Sequence, residues 1–289
     1  MTKKIIILGS ILVIAVFVLF LGGRTHEDRK REASLQQDEN GEISADLEQR
    51  VLSFTMDGRS PKGVKQWHLE GSSAEIVEDD IYLKDLSAIA YGENVTIYLT
   101  SKNGIYNRGK GEVELMGNVV VVSDDGFSLT TEKAKWSQNT KDIFTDSVIN
   151  IEREALIAKG EGGKANSEMG TATLYKNVTV KMEPDTIIYC DGPLEIDYNK
   201  KVASFYNNVQ VKDKEGKLFS DRLIVEFDPE TEKFKQVTAE GNVKTKKGNS
   251  WTLSEEAVYT GSTKSIKLLG RPKIVIDPQE LSDFDKFGE

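Results

Sequence analysis

One short pattern recurs along this chain at a nearly constant interval: an apolar residue, a turn-forming residue, usually Asn, then Val and a second β-former two places on. It reads Tyr91-Gly92-Glu93-Asn94-Val95-Thr96-Ile97, then Leu115-Met116-Gly117-Asn118-Val119-Val120-Val121, and loosely Thr145-Asp146-Ser147-Val148-Ile149-Asn150-Ile151. It returns as Leu174-Tyr175-Lys176-Asn177-Val178-Thr179-Val180, Tyr206-Asn207-Asn208-Val209-Gln210-Val211 and Glu240-Gly241-Asn242-Val243-Lys244-Thr245, and closes as Leu269-Gly270-Arg271-Pro272-Lys273-Ile274. The Asn positions fall at 94, 118, 147, 177, 208, 242 and 271. A period of about thirty residues marks a stacked repeat, each unit too small to bury its own apolar face.

Each period has a second half. Gly126-Phe127-Ser128-Leu129-Thr130-Thr131-Glu132-Lys133-Ala134-Lys135-Trp136 is echoed from Gly216 to Phe227 and from Gly248 to Tyr259, and each copy ends on an aromatic residue. Apolar and polar residues alternate, which places one face of a strand inward and the other in water. Ser123-Asp124-Asp125-Gly126, Asp213-Lys214-Glu215-Gly216 and Lys246-Lys247-Gly248-Asn249 are hairpin signals between such runs. The sequence therefore predicts an all-β chain of two antiparallel strands per period.

The chemistry this composition excludes is extensive. With a net charge of −9 the repeats lack the basic surface a nucleic-acid partner requires. The two histidines are His26 and His68, and neither has a Ser or Cys nucleophile and an orienting acid beside it in sequence. Cys190, the one cysteine, sits in the apolar run Ile187-Ile188-Tyr189-Cys190 and reads as a small buried residue. Gly160-Glu161-Gly162-Gly163 follows no strand-to-helix change and reads as a bend between strands, not a phosphate loop. No catalytic residues, metal ligands or cofactor are expected. The 47 acidic residues fall mostly at solvent-facing strand positions and turns.

The chain opens on Met1-Thr2-Lys3-Lys4 and an uncharged run from Ile5 to Leu21. At about 1.5 Å per residue, the run with Gly22-Gly23 spans close to a bilayer core of about 30 Å. It lacks an Ala-x-Ala-like cleavage pattern and a following cysteine, so residues 1–23 read as a retained transmembrane anchor. Arg24, Arg29, Lys30 and Arg31 oppose the orientation that Lys3 and Lys4 favour. The repeats are placed outside nonetheless, because large domains translocate despite flanking charge. Residues 24–45 read as a polar tether, Leu47–Met56 as a first strand, and Gly63–Gly71 as an alternating strand containing Trp67 and Leu69. Lys181-Met182-Glu183-Pro184-Asp185 breaks the pattern and marks an expected domain boundary; residues 278–289 form an acidic tail.

The ordered motifs Gly63…Trp67-x-Leu69, Gly104-x-Tyr106, Leu115-x-Gly117-Asn118-Val119 and Leu129-Thr130-Thr131-Glu132-x-Ala134-x-Trp136, behind a short anchor, resemble LptC. That family is the inner-membrane-anchored periplasmic component of lipopolysaccharide export. The resemblance covers residues 1–183. Residues 186–277, with Asn208-Val209 and Gly241-Asn242-Val243, resemble the related LptA/OstA domain. The copy at Ser147-Val148 departs from the pattern by lacking both Gly and Asn, and Glu154-Ala155-Leu156 stands where the family places a glycine.

The resemblance implies an open β-jelly roll, a V-shaped pair of antiparallel sheets, in two copies: residues 46–183 and an extension over 184–277. It implies a passive role in lipopolysaccharide transport across the periplasm. Lipid A acyl chains would lie in an apolar trough, received from an inner-membrane ABC transporter complex (LptBFG) and passed to an LptA-like or LptD-like bridge protein. The inward apolar residues expected to meet the lipid are Leu115, Val119, Val121, Leu129, Trp136, Leu174, Val178, Val180, Val209 and Val211. Any strand core would carry the same residues. The partner-binding edges are placed at Trp67 and Leu69 and at Lys273, Ile274 and Val275, where Pro272 and Pro278 frame the last strand. Two other readings fit the repeat: a parallel β-solenoid that binds or cleaves envelope polysaccharide, and an anchored scaffold with no ligand.

Overall fold

A computed structural model describes residues 49–60, 63–92, 95–166, 168–214, 216–229, 234–263 and 265–277. The anchor, the tether and the tail expected from the sequence lie outside these residues. Among the described residues no helix is long and apolar enough to cross a membrane.

Alternation does build strands throughout. They are β1 (Gln49–Arg59), β2 (Lys65–Val77), β3 (Asp80–Tyr91), β4 (Thr96–Asn107), β5 (Glu112–Ser123), β6 (Phe127–Ser137), β7 (Asp142–Arg153), β8 (Leu156–Asn166) and β9 (Thr171–Met182). There follow β10 (Thr186–Cys190), β11 (Leu194–Asp197), β12 (Val202–Lys212), β13 (Lys217–Phe227), β14 (Phe234–Lys247), β15 (Ser250–Thr260), β16 (Ser265–Leu269) and β17 (Lys273–Val275). They fall into two compact units. The N-terminal unit ends at Thr145 and takes in Asn166–Glu168; the C-terminal unit holds Asp146–Ala165 and the chain from Met169 onward.

In the N-terminal unit β1 to β6 pair in chain order, each antiparallel to the next. In the C-terminal unit β9 pairs with both β10 and β11, which also pair with β12; β12 to β15 follow in order, and β15 pairs with β16 and β17. β10 with β11, and β16 with β17, are thus each one strand broken in the middle. Every one of these pairings is antiparallel, which the parallel coil of a β-solenoid is not.

The recurring Gly-Asn pair corrects its expected role as a turn. It lies in mid-strand, with ladder on both sides. Gly117 and Asn118 have φ of 80° and 52°, Gly241 and Asn242 73° and 49°, and Asn207 and Asn208 63° and 52°. Two successive left-handed residues suit only Gly and Asn at low cost. The register shifts there: Met116 faces Lys133 while Val119 faces Thr131, so β5 carries one residue more than β6. β5 is also longer by one against β4, and β14 against both β13 and β15. The copies at 117–118, 207–208 and 241–242 are β-bulges that bend their strands and tighten the twist. At Gly270 and Arg271, with φ of 76° and 56°, the bend is complete and separates β16 from β17. The Ser147 copy, without Gly or Asn, shows no left-handed residue.

One further reading changes, and one segment gains its structural form. Gly160–Gly163 lies inside β8, not between strands, with Gly162 at φ 67°. A Cβ on Gly163 would stand 2.8 Å from the Thr173 carbonyl oxygen, so a close backbone approach explains this glycine. The pattern break at Lys181–Asp185 is a hairpin: Met182 pairs with Thr186, and the β9–β10 ladder continues to Val178 opposite Cys190.

Candidate functional site: the inward apolar faces

On β5 and β6, cross-strand pairing puts five of the expected residues on one face. Val119 stands opposite Thr131, Val121 opposite Leu129, Leu115 opposite Ala134, and Val113 opposite Trp136. Val119 and Val121 are each 2% exposed and Trp136 3%, while Leu115 and Leu129 are half-buried. The indole Nε1 of Trp136 is buried without a hydrogen-bond partner among the described residues.

The C-terminal unit repeats the arrangement. Leu174 faces Leu194, Val178 faces Cys190, and Val180 faces Ile188, which faces Val211 across its other edge. Val209 faces Ser220. Val178, Val209 and Cys190 have no exposed surface, Leu174 and Val180 are buried, and Val211 is half-buried. Burial raises the Cys190 thiol above its ordinary pKa.

The two faces share one construction. The strand opposite the Val of each bulge offers a small residue: Thr131 to Val119, Cys190 to Val178, Ser220 to Val209, Ser254 to Val243. Small partners let the bent strands close on one another. The deepest valines are therefore wall, whereas Leu115, Leu129 and Val211 on the same faces keep some exposed surface.

The edges differ from expectation on one side. Trp67 and Leu69 lie in β2, which pairs with β1 on one side and β3 on the other. The indole of Trp67 crosses Gly58 so closely that a Cβ there would sit 1.9 Å from its Nε1. The outer strand is β1, whose Val51, Leu52 and Met56 are exposed. Asp57 holds β1 to β2 through Lys65 at 2.8 Å and His68 at 2.7 Å. The Lys65 hydrogen bond foremost, then that of His68, keeps the Asp57 carboxyl below the usual carboxylate range. At the other end, Lys273, Ile274 and Val275 form β17, paired with Leu253 to Trp251 of β15 and otherwise exposed. Among the described residues no group of His, Cys, Asp and Glu is placed to hold a metal ion.

Residues 10–183 match the family described as "Lipopolysaccharide-assembly, LptC-related", and residues 193–283 match "LptA/(LptD N-terminal domain) LPS transport protein". No curated protein matches the chain. Among solved structures it is similar to LptH of Pseudomonas aeruginosa, described as the LptA homologous periplasmic component of the conserved lipopolysaccharide transport device. The two are 14% identical, the alignment covers 43% of this chain and 95% of that one, and the TM-score is 0.35.

Proposed function

The chain belongs to the LptC-related lipopolysaccharide-assembly family, and from that premise we propose that its inward apolar faces hold the acyl chains of lipid A in transit. Its two family matches make it a component of lipopolysaccharide transport across the periplasm, and neither is to a catalytic family. The observation that carries the finer reading is the single-faced placement of Leu115, Val119, Val121, Leu129 and Trp136, repeated by Leu174, Val178, Val180, Val209 and Val211. A strand pair with an apolar inside and a charged outside suits a lipid whose tails enter and whose sugars stay in water. In this reading residues 46–183 and 184–277 are two copies of an open jelly roll, and Ile5–Leu21 anchors the chain in the inner membrane. The lipid comes from the LptBFG transporter and leaves to an LptA-like or LptD-like bridge. The full chain, extracted from salt-washed inner membranes, is expected to carry lipid A detectable by mass spectrometry. Extraction by salt alone, or protein free of lipid A, would refute the reading.

The bridge contact is proposed at β17. Ile274 and Val275 are 64% and 56% exposed. An unpaired edge is a template for another chain's strand. A photo-crosslinker at Val275 is expected to capture an LptA-like or LptD-like protein in cells. Capture by β1 positions only, with none from β17, would make the C-terminal edge a stop.

A further inference from the structure

The outward face of the C-terminal unit carries lysines stacked across strands. Lys181 and Lys212 flank Ile187 on either side; Lys212 stands opposite Lys217, Lys217 opposite Lys246, and Lys246 opposite Trp251. One row over, Lys244 and Lys273 flank Leu253. These rows lie on the face opposite Val178, Val209 and Val243. None of the six lysines makes an ion pair with a described residue, and neither row contains a carboxylate. Carboxylates stand beside one end of the first row, where Glu154, Glu183, Asp185 and Asp213 line one pocket with Lys181 and Lys212; Lys217, Lys246, Lys244 and Lys273 lie outside that lining.

Lysines on the strands of the N-terminal unit can be neutralised across the ladder. On β5 and β6 the Nζ of Lys133 lies 2.5 Å from Glu114 and that of Lys135 2.9 Å from Glu112. Like charges directly opposite on neighbouring strands repel and weaken the sheet. A chain of net charge −9 has carboxylates to spare for neutralising such a row. Trp251 adds order: the Lys244 Nζ stands 3.8 Å and the Lys246 Nζ 5.0 Å from its ring centroid. The indole face thus holds two ammonium groups in place before any ligand arrives. A row of positive charges about 5 Å apart matches a ligand with several anionic groups on one rigid frame.

We propose that these lysines bind the phosphate groups of the lipopolysaccharide saccharide, on the outer face of the sheet whose inner face takes the acyl chains. The proposal rests on the transport reading above. It is tested on the full chain in neutral detergent, titrated with deacylated lipopolysaccharide saccharide that keeps its phosphates. Binding is expected to weaken steeply with added salt. It should fall at least tenfold in the Lys212→Gln/Lys217→Gln/Lys246→Gln variant, and equally when the saccharide is enzymatically dephosphorylated. All three positions are outward, so the variant keeps its fold, and its thermal midpoint at low salt should rise as repulsion is removed. A variant that binds within twofold of the parent, or a dephosphorylated saccharide that binds as well as the intact one, overturns the proposal. So does binding of phosphatidylglycerol vesicles with no binding of saccharide, which would make the patch a membrane surface. Because the probe has no acyl chains, its binding is independent of lipid A retention. Saccharide binding by a protein that carries no lipid A would sink the acyl-chain reading and leave this site standing.

Discussion

Replacing Val119 by aspartate is expected to unfold the N-terminal unit, whereas Asn118→Asp one position earlier should leave it nearly unchanged. Val119 is 2% exposed and pairs with Thr131 beside the β5 bulge, so a carboxylate there would lose its water with no partner offered in return. The loss should exceed about 4 kcal/mol, or force protonation of the new acid. Asn118 is exposed and left-handed at φ 52°, a conformation aspartate also tolerates, so that change should cost less than about 0.5 kcal/mol. Denaturant midpoints of the two variants, followed by circular dichroism, decide between them. Equal midpoints would mean that β5 has no dry face, and with it would go the apolar trough. For lipid capture the photo-crosslinker belongs at Leu129, whose half-buried side chain leaves room for a ligand.

The second large effect is expected at Gly192, between β10 and β11. Its φ is 103°, and a Cβ would stand 2.1 Å from the carbonyl oxygen of Tyr175 in β9. That oxygen belongs to backbone and has no side-chain freedom with which to retreat. Gly192 also sits where three bent strands are laced together. The Asn177 amide donates to the Asp191 carbonyl at 3.0 Å, the Asp191 amide to Asn207 at 2.9 Å, and the Asn207 side-chain amide to the Gly192 carbonyl at 2.7 Å. A methyl group here strains the backbone and pushes on that lacing at once. Gly192→Ala should therefore cost about 4 kcal/mol. Gly126→Ala is the control: its φ is 87°, but a Cβ would meet nothing within 4 Å, so only about 1–2 kcal/mol is expected there. Similar losses at both glycines would show that conformation alone, and not the close approach to β9, decides the cost at Gly192.

The hairpin turns were legible in sequence because their chemistry is local. Asp124-Asp125-Gly126 turns the chain between β5 and β6 where its residues say it should. Gly117-Asn118 carries the same signal, a preference for positive φ, and forms a bulge instead. Propensity reports which backbone angles a residue accepts. It does not report whether the strands on either side go on pairing with the same neighbours. The break at Pro184 takes the form of a hairpin, which sequence does not supply: a proline in a two-strand hairpin and a proline in a linker look alike until the β9–β10 register is known. Trp67 and Leu69 read as an edge because β1 follows a polar tether and announces itself weakly; the ladder from Leu52–Ser73 to Gly58–Trp67 covers them.

What the sequence alone determined about this protein is the strand content, the inward apolar set and the family resemblance. The first two depend on spacing within one strand, where a period of two assigns residues to faces with no knowledge of neighbours, and the third on the order of motifs along the chain. Tertiary structure alone decided which residues meet across strands. Lys181, Lys212, Lys217 and Lys246 come from four strands of the C-terminal unit, and only the cross-strand register makes them one surface. That register turns on a single extra residue at each bulge, and one residue of slip moves every side chain beyond it to the other face.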